Sequence, residues 1–313
     1  MIRVLGIGDN VCDKYLPAGV IYPGGNALNI AVFSRFLGCE SAYLGVIGDD
    51  ETGQHVYDVL REIGLDLSHC RFEAGENGIA RVELRDGDRV FLQGNQPRRI
   101  ARQKPPVLGE LDIRYMAGFD LLHTSVYSYM ESELPKLRAA GPFVSMDFSD
   151  CIDEDYFARC CPHIDCAILS CADMPREEIE AVIGRIFAHG CRQMVLATRG
   201  AKGALVSIGG RLYEQSPCLV KAKDTMGAGD SFITAFLVNY LHGAPQAQDF
   251  PKNSGSAGMT TRQAYLDALI RISLYRAAVF SAAQCQRDGS FGYGKKIGVN
   301  NEDRYVMEHH LTM

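Results

Sequence analysis

The sequence Asp224-Thr225-Met226-Gly227-Ala228-Gly229-Asp230-Ser231 leads directly into an almost wholly apolar run, Phe232–Leu241. Two glycines in this loop let a ligand approach the backbone closely. The N–H groups that open the following helix direct partial positive charge toward that ligand. Asp230, in the first turn, would lie beside a bound phosphate and could accept a proton from an attacking hydroxyl. The stretch predicts an anion cradle with a base; the alternative is that Asp230 only satisfies helix-terminal N–H groups.

A second glycine turn, near the N-terminus, carries polar amides. In Gly24-Gly25-Asn26-Ala27-Leu28-Asn29 the two asparagines are three residues apart at the start of an apolar helix, so Asn26 and Asn29 share a face. Amides both donate and accept hydrogen bonds, which suits sugar hydroxyls. Upstream, Asp9 and Asp13 follow the first predicted strand, the usual position of ligand contacts in an open α/β sheet. These residues predict a sugar site, with a simple helix N-cap as the alternative for Asn26.

Short β-branched runs alternate with helical patterns along most of the chain. In Thr52–Ile63, for example, Val56, Val59 and Leu60 fall on one helical face. This alternation predicts an α/β fold with helices on both sides of a mostly parallel central sheet. The predicted strands are Ile2–Ile7, Ala42–Ile47, Leu121–Ser125, Phe143–Phe148, Cys166–Leu169, Met194–Ala197 and Ala204–Ile208.

One stretch breaks the alternation. Gly78–Leu84 and Arg89–Gly94 are extended, and Asp86-Gly87-Asp88 between them is typical of a hairpin turn. Together with the irregular stretch Asp13–Pro23, the hairpin predicts a small β-lid over the site, and an ordinary antiparallel edge is the alternative. We expect one domain over 1–298 with lid elements near 11–23 and 77–97, and a C-terminal tail over 299–313. Ala244–Thr261, rich in Pro, Gly, Ser and Gln, is predicted to be a mobile surface loop.

Composition and charge narrow the classes of function. Hydrophobic residues make up 47% of the 313 and charged residues 22%, which is typical of a globular protein. The formal charge of −6 gives no basic field for nucleic acid. Because we find neither an apolar run of about 20 residues nor a signal-peptide pattern, we expect a cytoplasmic protein without a membrane partner. The eleven cysteines include no Cys-x-x-Cys pair, so we interpret them as reduced thiols.

Taken together, the motifs resemble the signatures of the PfkB, or ribokinase-like, carbohydrate kinase family. Gly24–Gly38, continuing to Gly45–Asp50, is similar to the first signature, and Asp224–Asp230 is similar to the second. Thr198–Gly203 is similar to the nucleotide-side T-x-G-x-x-G segment. The resemblance implies a three-layer sandwich with a mostly parallel central sheet and a small β-lid over the sugar. It also implies in-line transfer of the ATP γ-phosphate to a primary hydroxyl of a small molecule.

The resemblance also implies roles for individual residues. Asp230 is the catalytic base, and the N–H groups of Gly227, Ala228 and Gly229 form the anion hole. Mg²⁺ is required to neutralise the phosphates, and Asp173 stands where the family commonly has a glutamate that helps to organise it. The implied sugar-side residues are Asp13, Gly25, Asn26 and Asn29. The implied nucleotide-side residues are Thr198, Gly200, Gly203 and Thr225.

Two further expectations rest on the family alone. One is a monovalent cation near the anion hole. The other is a homodimer, because lids of this kind often pair across a dimer in the family. A lid edge that stands alone is the alternative to pairing.

Five further tracts resemble a subfamily, the bacterial fructoselysine 6-kinases. They imply phosphorylation of the 6-hydroxyl of fructoselysine or a related sugar–amino acid conjugate, as in the catabolism of Amadori products. His123, Tyr127 and Asp147 are then candidates for the pocket wall, with packing against the sheet as the alternative for each. The competing interpretations are a kinase of a ketohexose, a sugar acid or a nucleoside, and a non-catalytic sugar-binding sensor. The tracts are Gly8–Val11, Tyr22–Ala27, Leu121–Ser128, Asp147–Ser149 and Phe291–Gly294.

Overall fold

The computed structural model describes residues 1–16, 18–85, 88–249, 261–309 and 311. The strands in this part of the chain are β1 (Arg3–Gly8), β2 (Val11–Tyr15), β3 (Val20–Gly24), β4 (Glu40–Gly48), β5 (Arg71–Glu73), β6 (Ile79–Arg85), β7 (Asp88–Leu92), β8 (Leu121–Ser125), β9 (Phe143–Asp147), β10 (Cys166–Ser170), β11 (Met194–Thr198), β12 (Ala204–Ile208), β13 (Arg211–Gln215) and β14 (Lys295–Lys296). The α-helices are α1 (Asn26–Phe36), α2 (Glu51–Ile63), α3 (Ile100–Gln103), α4 (Glu110–Met116), α5 (Leu134–Ala140), α6 (Glu154–Cys160), α7 (Arg176–Ala188), α8 (Ala228–Gly243), α9 (Thr261–Gln284) and α10 (Asn301–Glu308).

Among the described residues, nine strands form the central sheet, in the order β13-β12-β11-β10-β9-β8-β1-β4-β5. The strands from β11 across to β5 are parallel to their neighbours, and β12 and β13 add an antiparallel edge. Parallel strands need crossover helices, which lie on the two faces of the sheet. The predicted α/β fold with a mostly parallel sheet is confirmed.

Apolar residues on alternate sides of each strand hold the three layers together. Val4 and Ile168 pack with residues of α1, α8 and α9 on one face. Leu5 and Leu169 pack with residues of α4, α5, α6 and α7 on the other. Because both faces are covered, these strands are apolar without interruption instead of alternating with polar residues. Helix α8 contacts α1 and α9 as well as joining the core of this face, which explains why its sequence is apolar nearly all round.

A second sheet, which we call the lid, has five strands in the described residues, in the order β14-β3-β2-β6-β7. Its β6 and β7 pair antiparallel, as the hairpin prediction required, and the turn residues Asp86 and Gly87 lie outside the described residues. Side chains alternate between the faces of the lid. Tyr15 and Val82 pack with Met226 of the loop before α8, and Leu16 and Leu92 pack with Val306 of α10. One face of the lid therefore covers the main domain, and α10 covers the other.

Of the predicted C-terminal tail, 299–313, the described residues 299–309 and 311 include a helix that packs against the lid. This helix, α10, begins at a capping box, in which Asn300 accepts from the Asp303 N–H and Asp303 from that of Asn300. The Asp303 carboxylate is fully buried and binds Lys14 at 2.5 Å and Arg81 at 2.7 Å. This helix was not predicted from the sequence, and its buried carboxylate is shared by two cations of the lid.

The loop predicted over Ala244–Thr261 begins as a 3-10 helix, Ala244–Asp249, and its residues 250–260 lie outside the described residues. All eleven cysteines are described, and all are free thiols. None of the described helices combines the length and the hydrophobicity that a bilayer span needs.

Candidate active site

A cavity of about 240 Å³ lies where the lid meets the carboxyl ends of the central strands. Asp9 follows β1, Tyr127 follows β8, and Asp147 and Ser170 end β9 and β10, so one edge of the sheet supplies this wall. This is the expected position of a ligand site in an open α/β sheet. The cavity brings together most of the predicted site residues: Asp9, Asp13, Gly25, Asn26, Asn29, Tyr127, Asp147, Gly227, Gly229 and Asp230.

The loop 224–227, which we call the anion loop, positions the start of α8. Gly227 is the N-cap of the helix and has φ +70°, a left-handed conformation that glycine adopts easily. Gly229 faces open space, since no atom beyond its chain neighbours and the backbone of its own helix lies within 4 Å of the position a Cβ would take. Of the three predicted anion-hole residues, Gly227 and Gly229 line the cavity, whereas the Ala228 N–H donates to the Thr225 carbonyl at 3.2 Å. An anion could therefore approach the helix terminus from the side of Gly229.

Asp230 lies in the first turn of α8 and faces the N-terminal helix. Asn29 Nδ2 donates to its carboxylate at 2.6 Å and to Ser290 Oγ at 3.2 Å. Burial raises the pKa of Asp230 to about 6, opposed by the Asn29 hydrogen bond and reinforced by the charge of Asp9. A carboxylate with such a pKa is ionised near neutral pH and still basic enough to take a proton.

Asn26, one helical turn before Asn29, holds a second carboxylate of the cavity. Its Nδ2 donates to Asp147 at 2.8 Å, and the Ser149 N–H donates to the other oxygen of Asp147 at 2.7 Å. Burial raises the pKa of Asp147 to about 7, and the charge of Asp230 raises it further. The predicted common face of the two asparagines is thus correct, and each amide positions a different acid.

Asp9 has a positioning role within the cavity. It accepts from the N–H groups of Asn26 at 2.7 Å and Ala27 at 3.2 Å, and from the hydroxyls of Ser125 and Ser128 at 2.7 and 3.0 Å. The N-cap of α1 is Gly25, which has φ +116° and no side chain, so Asp9 supplies the missing acceptor from the sheet. The alternative in which Asn26 is the N-cap is therefore wrong.

The lid contributes Asp13 and Arg89, and two contacts tie it to the anion loop. Burial raises the pKa of Asp13 to about 7, and the charge of Arg89 opposes this rise. Arg89 Nη1 donates to the carbonyl of Thr225 and, at 3.2 Å, to its hydroxyl. Tyr15 donates to Asp224 at 2.6 Å. Any displacement of the lid would therefore act directly on the loop that precedes Asp230.

The predicted nucleotide-side residues lie beside the cavity and not in its wall. Thr198 ends β11, pairs in register with Ser170 of the cavity wall, and donates to the Leu169 carbonyl at 3.3 Å. The turn that follows closes with a 2.7 Å hydrogen bond from the Arg199 N–H to the Gly203 carbonyl. Gly200 and Gly203 have φ values of +53° and +88°. Positive φ values explain why this turn has glycines at both places.

Asp173 is exposed, and the described residues contain no group of three side chains that could ligate a metal. The described side chains therefore do not surround a metal ion by themselves. A single carboxylate such as Asp173 does suit Mg²⁺ that is bound mainly through substrate phosphates, which is the arrangement that this ion favours in kinases. Asp173 remains a predicted ligand on that basis.

His123 does not reach the cavity, which corrects its place among the predicted wall residues. It lies in the middle of β8, fully buried, with Nδ1 2.8 Å from Ser145 Oγ on the neighbouring strand. Burial lowers the pKa of His123 to about 3, so the ring is neutral. The error concerns position along the strand: His123 lies in the middle of β8, and Ser125, on the same face but two residues closer to the carboxyl end, is the residue that contacts Asp9.

Sequence reasoning missed two arginines of the cavity, Arg89 and Arg99. Arg89 and Phe91 both line the cavity because alternate residues of β7 face the same side. That period of two within the predicted hairpin could have indicated them. Arg99 follows the hairpin in an irregular segment and carries no such signal.

Comparisons with known proteins show the family to which the chain is similar. A family model described as pfkB family carbohydrate kinase matches residues 3–265. The chain is 37% identical over 294 residues to the fructosamine kinase FrlD of Bacillus subtilis (strain 168), covering 94% of each protein. It is 33% identical over 254 residues to the fructoselysine 6-kinase of Escherichia coli (strain K12), covering 81% of this chain and 95% of the relative.

A fructokinase from Xylella fastidiosa, solved with bound ATP, shares the fold with a TM-score of 0.71 at 18% identity over 98% of each chain. The cavity, with Asp230 at the start of α8, thus occurs in a chain whose sequence and fold both match sugar kinases. The chain belongs to the pfkB family of carbohydrate kinases and is an ATP-dependent sugar kinase.

Proposed function

We propose that this kinase transfers the γ-phosphoryl group of ATP to the 6-hydroxyl of a fructosamine such as fructoselysine. The proposed phosphoryl transfer rests on one observation, the contact of Asn29 with Asp230 at the open N-terminus of α8. The fructosamine part is supported by the Bacillus subtilis and Escherichia coli relatives described above, whose names specify fructosamine and fructoselysine.

In this proposal the 6-hydroxyl lies against Asp230, which Asn29 orients. The hydroxyl proton passes to the Asp230 carboxylate as the oxygen forms its bond to the γ-phosphorus. The bond between that phosphorus and the β–γ bridging oxygen breaks, and ADP leaves with the bridging oxygen. Backbone N–H groups at the start of α8, next to Gly229, stabilise the charge on the phosphoryl oxygens. Mg²⁺ would neutralise the phosphates when bound, with Asp173 as a candidate ligand; the proposed monovalent cation rests on the family alone.

The assignment of Asp230 predicts a specific pattern of kinetic loss. Asp230→Asn keeps the shape of the side chain but removes the base, so kcat should fall by about 10²–10⁴-fold with little change in substrate affinity. Asp147→Asn is the matched comparison, because we assign Asp147 to sugar binding, and it should raise KM more than it lowers kcat. Steady-state ADP release and calorimetric binding of substrate measure both. A folded Asp230→Asn variant with turnover near that of the wild type would refute the assignment.

A further inference from the structure

Arg99 is a buried cation of the cavity, and the part of the chain that the structure describes provides no counter-charge for it. It is 5% exposed and lines the cavity. Its Nη2 donates to the Tyr129 hydroxyl at 2.8 Å and to the Tyr127 carbonyl at 3.3 Å, while Nε is buried with no hydrogen-bond partner. No carboxylate of the described residues lies within ion-pair distance of it. A buried guanidinium with a free donor is costly, so the site favours a ligand that supplies negative charge.

Tyr129 holds Arg99 at some conformational cost. Its φ of +55° is rare for a residue with a side chain. The Tyr129 hydroxyl accepts from Arg99, and its ring centre is 5.2 Å from the guanidinium carbon. Strain of about 1–3 kcal/mol at one residue persists only where the surrounding structure requires it. The result is an arginine whose position is fixed before any ligand binds.

A series of contacts along the cavity wall leads from Asp230, the proposed base, to Arg99. Asp230 contacts Asn29, and Asn26 lies one helical turn of about 5 Å away on the same face. From Asn26 the contacts run to Asp147, then Ser149, then the Tyr127 hydroxyl, and finally from the Tyr127 carbonyl to Arg99. The groups between the two ends are amides, hydroxyls and carboxylates, which suit a sugar. A ketose with its terminal hydroxyl at Asp230 would direct its C1 substituent toward Arg99.

The two cavity arginines have different surroundings. Arg89 acts electrostatically on Asp13 and Asp230 and donates to Thr225 of the anion loop. It therefore already has partners at the catalytic end. Arg99 is left to interact with the part of the substrate beyond the sugar.

We propose that Arg99 binds the carboxylate of the amino-acid half of the substrate and thereby selects sugar–amino acid conjugates over free sugars. This inference rests on the proposed function. A guanidinium holds a carboxylate through two parallel N–H···O bonds, so both the charge and the planar shape of the ligand are recognised. The contact lies away from the reacting hydroxyl and would act on substrate binding more than on turnover.

The test compares two conjugates that differ only in the carboxylate: fructose linked to the ε-amine of lysine, and fructose linked to cadaverine, which is lysine without its carboxylate. With the wild-type enzyme, kcat/KM should be about 100-fold lower for the cadaverine conjugate, mainly through KM. Arg99→Gln should lower kcat/KM about 100-fold for the lysine conjugate and leave the cadaverine conjugate within about threefold. Arg102→Gln is the matched control, since Arg102 lies over the same Tyr129 ring but is exposed and outside the cavity; it should change neither.

Three other outcomes would overturn either the role of Arg99 or the proposed function. Equal kcat/KM for the two conjugates in the wild type would overturn the role of Arg99 while leaving the fructosamine function intact. Turnover of free fructose with neither conjugate accepted would overturn the proposed function itself. Preference for 2-keto-3-deoxygluconate, lost in Arg99→Gln, would show that the carboxylate belongs to a sugar acid and overturn its assignment to an amino acid. Because equal kcat/KM in the wild type overturns the proposal without any variant, the proposal can be refuted even if Arg99→Gln does not fold.

Discussion

Gly227 and Gly229 are glycines for different physical reasons, and the difference can be tested. Gly227 needs its left-handed φ of +70°, whereas Gly229 has open space in the cavity where a Cβ would lie. Gly227→Ala should destabilise the fold by about 1–2 kcal/mol. Gly229→Ala should leave stability unchanged or raise it by up to about 1 kcal/mol, because alanine favours helix.

The same Gly229→Ala substitution should nevertheless lower turnover at least about tenfold, since its methyl group would occupy the space where the phosphoryl group approaches. Chemical denaturation and ADP release on the same two variants separate the roles. Wild-type kcat in Gly229→Ala would show that the phosphoryl group approaches elsewhere.

The buried acids predict the pH dependence of catalysis. Burial raises the pKa of Asp230 to about 6, with the charge of Asp9 adding to the rise. Because the base must be ionised, kcat/KM should fall as pH drops through an apparent pKa of about 6–7, which belongs to the coupled group of cavity acids. A profile that is flat from pH 5 to pH 8 would contradict the role of Asp230 as a base.

The contribution of Asp13 to folding stability should fall as pH rises, whereas kcat/KM should rise. Burial raises the pKa of Asp13 to about 7 in the folded state. Its contribution to stability is complete below the unfolded-state pKa of about 4 and is lost as pH rises to about 7. Asp13→Asn is neutral at every pH, so its stability relative to the wild type should increase over that range. Urea denaturation of both proteins from pH 4 to pH 8 measures this; a difference independent of pH would contradict the raised pKa.

At the scale of elements, α10 and the lid are held together by one buried carboxylate. Although burial opposes ionisation, hydrogen bonds from Lys14 and Arg81 keep the pKa of Asp303 below its ordinary value. Asp303→Asn would leave two buried cations without a full counter-charge and should cost about 3–5 kcal/mol. Glu302→Gln on the same helix is the control, because Glu302 is 43% exposed and its ion pairs should contribute less than about 1 kcal/mol. Equal losses in the two variants would contradict this account.

The elements also show what sequence could predict. The strand–helix alternation, the hairpin and the shared face of Asn26 and Asn29 all followed from local periodicity. Their partners did not, because Asp147 and Asp230 are 121 and 201 residues away from those amides along the chain. His123 was misplaced because it lies in the middle of β8, two residues before the carboxyl end where Ser125 contacts Asp9. Arg99 lies in an irregular segment without a periodic signal, and only the tertiary structure shows that Asp303 of α10 binds Lys14 and Arg81.

At the scale of the whole molecule, α10 bears on the expected homodimer. The helix covers the face of the lid that includes Leu16 and Leu92, so this face is not available for pairing with a second copy. A dimer that pairs through the lid would have to use another part of it, such as the edge strand β7, and light-scattering chromatography distinguishes such a dimer from the 34.4 kDa monomer. Ending the chain at Gly298 should expose the apolar face and promote self-association. A full-length dimer that persists at low concentration would show that the copies pair through another surface.

The proposed function requires that the cavity binds a fructosamine in preference to a free sugar and that the enzyme phosphorylates the 6-hydroxyl. The most direct test is the ratio of kcat/KM for ATP-dependent ADP release with fructoselysine to that with free fructose. We expect kcat/KM to be several orders of magnitude higher for fructoselysine than for fructose, with the phosphate on C6 of the product. A ratio near or below one would contradict the claim and indicate a kinase of free sugars on the same fold.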